Sequence, residues 1–191
     1  MAFKYDITSS ITQLIDLSTA KSWLKIPSAL TADDTIIELL IESAQSQLEG
    51  YTNRIFTSRD FDLYTNDIYS ISDYSPYIEI NKSPVNSISD FSVYLDGTFS
   101  SIPSASYTVE LTDNFSRIYF LDNIEYDGDT TLPFKVSFNA GYTAKSDIKI
   151  ACLQLISYNY ENRGDVQSEG RLVIPKELYQ VINKYRIISV I

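Results

Sequence analysis

The sequence predicts an α+β chain: a helical bundle made of N- and C-terminal helices, with an inserted antiparallel β module. Two observations carry this. Near both ends, apolar residues recur every three or four positions, the period of one helix face. Between them the period falls to two, and Asn, Asp, Gly and Ser punctuate the alternating runs, as in half-buried strands joined by turns. The 191 residues, 44% hydrophobic and 21% charged, suit one domain that buries its core without covalent staples. The expected layout is a single domain with helical parts over 14–56 and 144–186, a β insertion over 57–143 and a C-terminal arm over 187–191.

Leu17-Ser18-Thr19-Ala20-Lys21-Ser22-Trp23-Leu24 predicts a short helix with Ser18 as its N-cap, ended by Pro27. Thr31, three residues before Asp34, predicts a capping-box-like start for a longer helix, with Asp33 and Asp34 favourably placed in its first turn. Ile37, Ile41, Ala44, Leu48 and Tyr51 form its apolar stripe, while Glu38, Glu42, Gln45 and Glu49 fall on other faces. Asn53 stands where the stripe stops and suits a left-handed C-terminal cap.

Alternation then marks strands at Phe61–Tyr64, Tyr77–Ile80, Phe91–Leu95, Tyr107–Leu111, Arg117–Phe120 and Phe134–Phe138. Asp96-Gly97 predicts a hairpin turn, and Asp127-Gly128 and Ala140-Gly141 are further turn signals. In the third zone Ser146 can cap a helix with Asp147 in its first turn. Ile148, Ala151, Leu155 and Tyr158 form its stripe, widened by Cys152 and Ile156, and Arg163-Gly164 ends it. A polar loop from Asp165 to Gly170 precedes Leu172-Val173-Ile174. Pro175 opens a last helix whose buried candidates are Leu178, Val181, Ile182 and Tyr185.

Composition excludes several classes of function. Fifteen Lys and Arg against 25 Asp and Glu give a formal charge of −10, which disfavours gripping phosphate backbones. There is no histidine and one cysteine, so Cys/His zinc sites and most hydrolytic triads are ruled out. Six glycines carry no phosphate-binding pattern. The start of the chain lacks the apolar core of a signal peptide, and no apolar run approaches the ~18 residues that span a bilayer. The chain therefore reads as soluble and intracellular, or assembled inside a cell. Fifteen Tyr and nine Phe suit a core and protein–protein interfaces.

Candidate sites are few. Asp122, Glu125, Asp127 and Asp129 depart from the calcium-loop pattern and read as a solvated loop. Asp33 and Asp34 read as helix-start residues rather than an acid/base pair. Cys152, between Ala151 and Leu153, reads as a buried thiol. Glu110 and Asp113 would be the carboxylates of a hydrolytic or glycan-binding β domain, though no spacing rule singles them out. No catalytic, cofactor or metal residue is assigned. Lys149, Arg163, Arg171, Lys176, Lys184 and Arg186 gather positive charge toward the C-terminus, as ordinary surface or as a face for an acidic partner. Tyr185-Arg186-Ile187-Ile188-Ser189-Val190-Ile191 ends in β-branched apolar residues. Such an end suits either a final strand of the chain's own sheet or an arm laid on another subunit.

Taken in order, these landmarks resemble the head–tail connector (adaptor) proteins of long-tailed bacteriophages. The resemblance runs from about residue 14 to 186. It rests on Leu17 to Ile26, Asp33 to Ala44 and Leu48-Glu49-Gly50-Tyr51-Thr52-Asn53-Arg54, where Asn53 stands in place of a frequent Gly. It continues in Ser83-Pro84-Val85-Asn86-Ser87-Ile88, Val136 to Tyr142, Tyr158-Asn159-Tyr160-Glu161-Asn162-Arg163, Ile174-Pro175 and Tyr185-Arg186. Lys145-Ser146-Asp147 replaces a proline common before the third long helix. The resemblance implies a structural virion protein without catalysis. It would form a ring, typically dodecameric, beneath the portal, join it to stopper or tail-completion proteins and surround the DNA channel. DNA would pass without specific binding, and no membrane or cofactor is implied. Tyr185, Arg186, Ile187, Ile188, Val190 and Ile191 would form a portal-docking arm. A short-tailed-phage adaptor or a tail-completion protein is the alternative within the same structural class.

Overall fold

The computed structural model describes residues 3–69, 76–127, 130–141, 145–162 and 174–187. The chain divides into two compact units, Met1–Ile11 with Ser58–Tyr142, and Thr12–Thr57 with Thr143–Ile191.

The first unit is built from two antiparallel sheets. One has five strands in the order β1 (Phe3–Ile7), β2 (Arg59–Thr65), β8 (Phe134–Ala140), β4 (Val85–Leu95) and β5 (Thr98–Ser101). The other has three, β3 (Tyr77–Ile80), β7 (Ser116–Phe120) and β6 (Tyr107–Leu111). Strict alternation sets which side chains are buried: Phe134, Val136, Phe138 and Ala140 of β8 point inward, and Lys135, Ser137 and Asn139 point outward. Rings from both sheets meet in the core. Phe91 of β4 stacks on Phe120 of β7 at 5.8 Å between centroids, and Phe134 lies 5.6 Å from Phe120. The hairpin between β4 and β5 turns at Asp96 and Gly97, both at positive φ (52° and 83°), as a tight two-residue connection needs.

The second unit holds the helices. These are α1 (Leu17–Trp23), α2 (Asp34–Thr52), α3 (Ser146–Glu161) and α4 (Tyr179–Ile182), the last flanked by single 3-10 turns at Lys176–Leu178 and Asn183–Tyr185. The α2 stripe is buried as its spacing requires, with Ile37, Ile41, Ala44 and Leu48 inaccessible, and Asn53 caps it in the left-handed region (φ 55°). The α3 stripe is buried from Ile148 to Ile156. Ends of the two helices mark an antiparallel pair. Tyr160, late in α3, donates to Asp33 at the start of α2. Tyr185, which follows α2's C-terminal end in space, donates to Asp147 at the start of α3.

The expected helical bundle with an inserted β module is not the architecture. Among the described residues the two sheets bury an aromatic-rich core of their own, from Phe61 to Ala140, and only α2 and α3 are long. Two causes account for this. Phe3-Lys4-Tyr5-Asp6-Ile7 alternates apolar and charged residues and forms β1, paired with β2 across more than fifty residues of chain. The last helix breaks into 3-10 turns around four α-helical residues.

Local corrections are smaller. Asp16, not Ser18, caps α1, accepting from the Thr19 N–H at 2.8 Å, while Ser18 Oγ itself donates to Asp16. Asp33 and Lys145 occupy the N-cap positions of α2 and α3 with no capping side-chain bond, and Ser146 is the first residue of α3. Gln45 is buried rather than on a polar face, and Val181 is only half-buried. Arg163-Gly164, the loop from Asp165 to Gly170 and Leu172-Val173 lie outside the described residues.

Candidate functional site

The residues of the expected docking arm begin inside the helical unit. Tyr185 is buried, and its ring meets Phe56 edge to face at 6.3 Å. Its hydroxyl donates to both carboxylate oxygens of Asp147 at 2.8 Å, and its carbonyl accepts from Arg54 Nε. The Arg186 guanidinium lies over the Tyr51 ring, 4.8 Å from its centroid. The Ile187 N–H donates to Thr52 O at 2.9 Å, and Asn53 Nδ2 donates to Ile187 O at 3.0 Å. Tyr51 also donates to Asn183 at 2.7 Å.

The local reason is the end of α2. Its last carbonyls lack intrahelical partners, and the left-handed turn at Asn53 leaves Thr52 O open to the incoming Ile187 N–H. Tyr51-Thr52-Asn53-Arg54 thus grips Tyr185-Arg186-Ile187 as one clasp, over 130 residues apart in sequence. It fixes Ile187 against the C-terminal end of α2. Ile188, Val190 and Ile191 lie outside the described residues.

A second clasp lies in the β unit. Pro84 O accepts from the Gly141 N–H at 2.8 Å, and Asn86 Nδ2 donates to Gly141 O and to Asn139 Oδ1. Gly141 sits at φ 109°, a conformation costly for any side chain. The two clasps join the landmark pairs on which the sequence resemblance rests.

Two buried polar hubs had no signal in the sequence. Lys21, 5% exposed, donates from Nζ to Asp34 at 2.6 Å, Leu30 O at 2.6 Å and Ser28 O at 3.3 Å, which satisfies an ammonium otherwise costly to bury. Gln45 accepts from the Leu14 N–H at 2.8 Å and donates to Thr57 Oγ1 at 3.1 Å. It pins the segments that enter and leave the first half of the helical unit.

The outer face of the five-stranded sheet is a polar ladder. Asp62 accepts from Ser137 Oγ at 2.6 Å and pairs with Lys135 at 3.0 Å. Asp90 accepts from the hydroxyls of Ser92 and Ser101. Burial works against ionisation of Asp90, but those two hydroxyls outweigh it and hold its pKa below the usual value. The Asp62 contact raises the pKa of Lys135. These groups satisfy one another.

The remaining candidates are not brought together. Glu110 accepts from Tyr119 across the β6–β7 pair, and Asp113 accepts from Ser83 Oγ through its backbone carbonyl. Asp33 receives the Tyr160 hydroxyl, and Asp34 holds Lys21. Cys152 is buried, and that burial pushes its thiol up to about 12. Asp122, Glu125 and Asp127 lie on an exposed or half-exposed loop, and Asp129 lies outside the described residues. Among the described residues, no three His, Cys, Asp or Glu side chains form a group able to hold a metal ion. No described helix is long and apolar enough to cross a membrane.

A two-sheet unit and a helical unit are each held by a clasp between segments distant in sequence. The chain belongs to the phage gp6-like head-tail connector protein family, whose sequence model matches residues 14–125. The fold is similar to a chain in the neck of an empty GTA particle computed with C6 symmetry, with a TM-score of 0.76 and 17% identity over 98% of this chain and 97% of that one. A chain in the virion of a native gene transfer agent (GTA) particle is similar with a TM-score of 0.72 at 17% identity, and one in the neck of a native GTA particle computed with C12 symmetry with 0.68 at 15%; both cover 98% of this chain and 97% of the other. No curated protein sequence matches the chain.

Proposed function

We propose that this chain is a structural protein of the phage virion neck. It assembles as a ring beneath the portal, joins the capsid to the tail through stopper or tail-completion proteins, and surrounds the DNA exit channel. The observation that carries this reading is the family match over residues 14–125. Likeness to neck chains over nearly the whole length adds to it, and the C6 and C12 symmetry of those particles supports a ring, with twelve copies as the expected number. The ring acts by geometry and has no catalytic step.

The segment from Ile187 to Ile191 docks on the portal. The clasp at the end of α2 supports this role, because it anchors Tyr185 to Ile187 firmly and leaves β-branched apolar residues to follow. The ring assembles in the host cytoplasm and resides in the virion neck. Its excess of carboxylates lets DNA slide, since the clustered cations that would grip phosphates are scarce. A channel wall lined mainly by Lys and Arg in an assembled ring would refute that last point.

The test is a tagged copy recovered from producing cells with its partners and imaged by electron microscopy. Rings of this chain stacked on a portal are expected. Deleting residues 188–191 should abolish co-recovery of the portal while leaving the fold intact. Undiminished portal binding by the truncated chain would remove the arm from the account.

A further inference from the structure

Two outer faces of the helical unit expose apolar side chains beside opposite net charge. The outward face of α2 carries an apolar knob: Leu39 is 61% exposed and Ile36 41%. Glu38 and Glu42, both exposed, rim the knob from one side. The helical period places these residues opposite the buried stripe of Ile37, Ile41, Ala44 and Leu48. Among the described residues, nothing in their own unit covers them.

The second face lies where α1 meets α3. It is an open depression of about 740 Å³ lined by Ser18, Thr19, Ser22, Trp23, Lys25 and Leu153. Trp23 is 44% exposed there, an unusual position for a large ring in a chain with one tryptophan. Lys149 and Ile150, both exposed, stand one turn before Leu153 on α3 and extend the same face. So this face sets Trp23 and Leu153 among the hydroxyls of Ser18, Thr19 and Ser22, with Lys25 and Lys149 at its edge and the Asp16 carboxylate held on Ser18 and Thr19; the knob facing it has carboxylates at its edge. Scattered exposed apolar residues are ordinary on a soluble surface. Here the α2 cluster stands beside two carboxylates, and the Trp23 cluster beside two ammonium groups and one carboxylate, so the net charges of the two faces are opposite.

We infer that neighbouring copies of this chain join head to tail, with Leu39 of one copy seated in the Trp23 depression of the next, Glu38 and Glu42 facing Lys25 and Lys149. The inference rests on the ring reading above and names the surfaces that build it. A contact between two different faces of one chain is heterologous, the type that builds a ring when the rotation between copies closes. A buried apolar anchor within a rim of opposite charges is also the arrangement that concentrates binding energy and fixes register.

Charge reversal in particles from producing cells tests this. Glu38→Lys with Glu42→Lys should remove rings of this chain from the necks, and so should Lys25→Glu with Lys149→Glu. All four changes in one chain should restore them, because the attraction is rebuilt with the signs exchanged. Unchanged thermal melting of each purified variant shows that the fold survives. In wild-type particles, zero-length cross-linking should join Glu38 or Glu42 of one copy to Lys25 or Lys149 of another. Rings that persist in both reversal variants would overturn this inference and leave the ring itself standing. Cross-links that run from these faces to a portal or tail protein, or that close a two-fold dimer, would overturn it likewise. Wild-type necks holding no ring of this chain would overturn the ring reading and this inference with it.

Discussion

At the residue scale, stability rests on polar side chains whose partners are distant or easily misread. Asp16 is the clearest. Its carboxylate accepts from Ser18 Oγ and from the N–H and hydroxyl of Thr19, and these bonds lower its pKa from 3.8 to about 2. A carboxylate with a lowered folded-state pKa stabilises fully above its ordinary value, and the gain is lost as pH falls through the folded one. Asp16→Ala should therefore cost about 1 kcal/mol near neutral pH. The gap between variant and wild-type melting temperatures should narrow from about pH 4 downward and close only below about pH 2; a gap that stays constant with pH would show that ionisation plays no part. Gln45 makes a second case. Replacing it with Leu strands the buried Leu14 N–H and should cost about 1–3 kcal/mol in denaturant unfolding. The sequence conveyed neither role. Ser18 is as good a cap by type as Asp16, and the choice is decided by which side chain accepts. Gln45 reads as polar surface because its partners are 31 and 12 residues away.

At the element scale, local period was legible and pairing was not. The α2 stripe, the left-handed cap at Asn53 and the Asp96-Gly97 turn all follow from the sequence, because each depends on residues within a turn or two. Phe3 to Ile7 of β1 alternates too, but its partner strand lies beyond the whole first half of the helical unit, so local period does not announce the pairing. The final helix fragmented because its backbone is drawn onto the end of α2 by the clasp from Tyr51 to Arg54. Asn53 serves that clasp twice, by conformation and by its amide. Asn53→Gly should keep the turn and lose only the bond to Ile187, while Asn53→Val adds about 1–2 kcal/mol of left-handed strain. Thermal melts that rank Gly and Val equally would contradict this. In the β unit, Phe91 touches Phe120, Phe134 and Tyr107. Phe91→Ala should cost about 3–5 kcal/mol by opening a cavity between the sheets, measured as a shift in the denaturant midpoint without a change in slope.

At the scale of the whole molecule, the two units present different surfaces. The β unit has its polar outer ladder already satisfied, whereas the helical unit exposes the Leu39 knob beside Glu38 and Glu42 and the depression around Trp23. The family was legible because its landmark residues are the ones that close the two long-range clasps. The architecture was not, because a run of strand, helix and strand signals does not say which sheet a strand joins. The central claim is that this chain acts as a ring in the virion neck. The most direct measurement is an electron-microscopic reconstruction of particles carrying a tagged copy. A closed ring of this chain between portal and tail is the predicted result. Complete particles whose necks lack the chain, with the tagged protein recovered only as isolated copies, would contradict it.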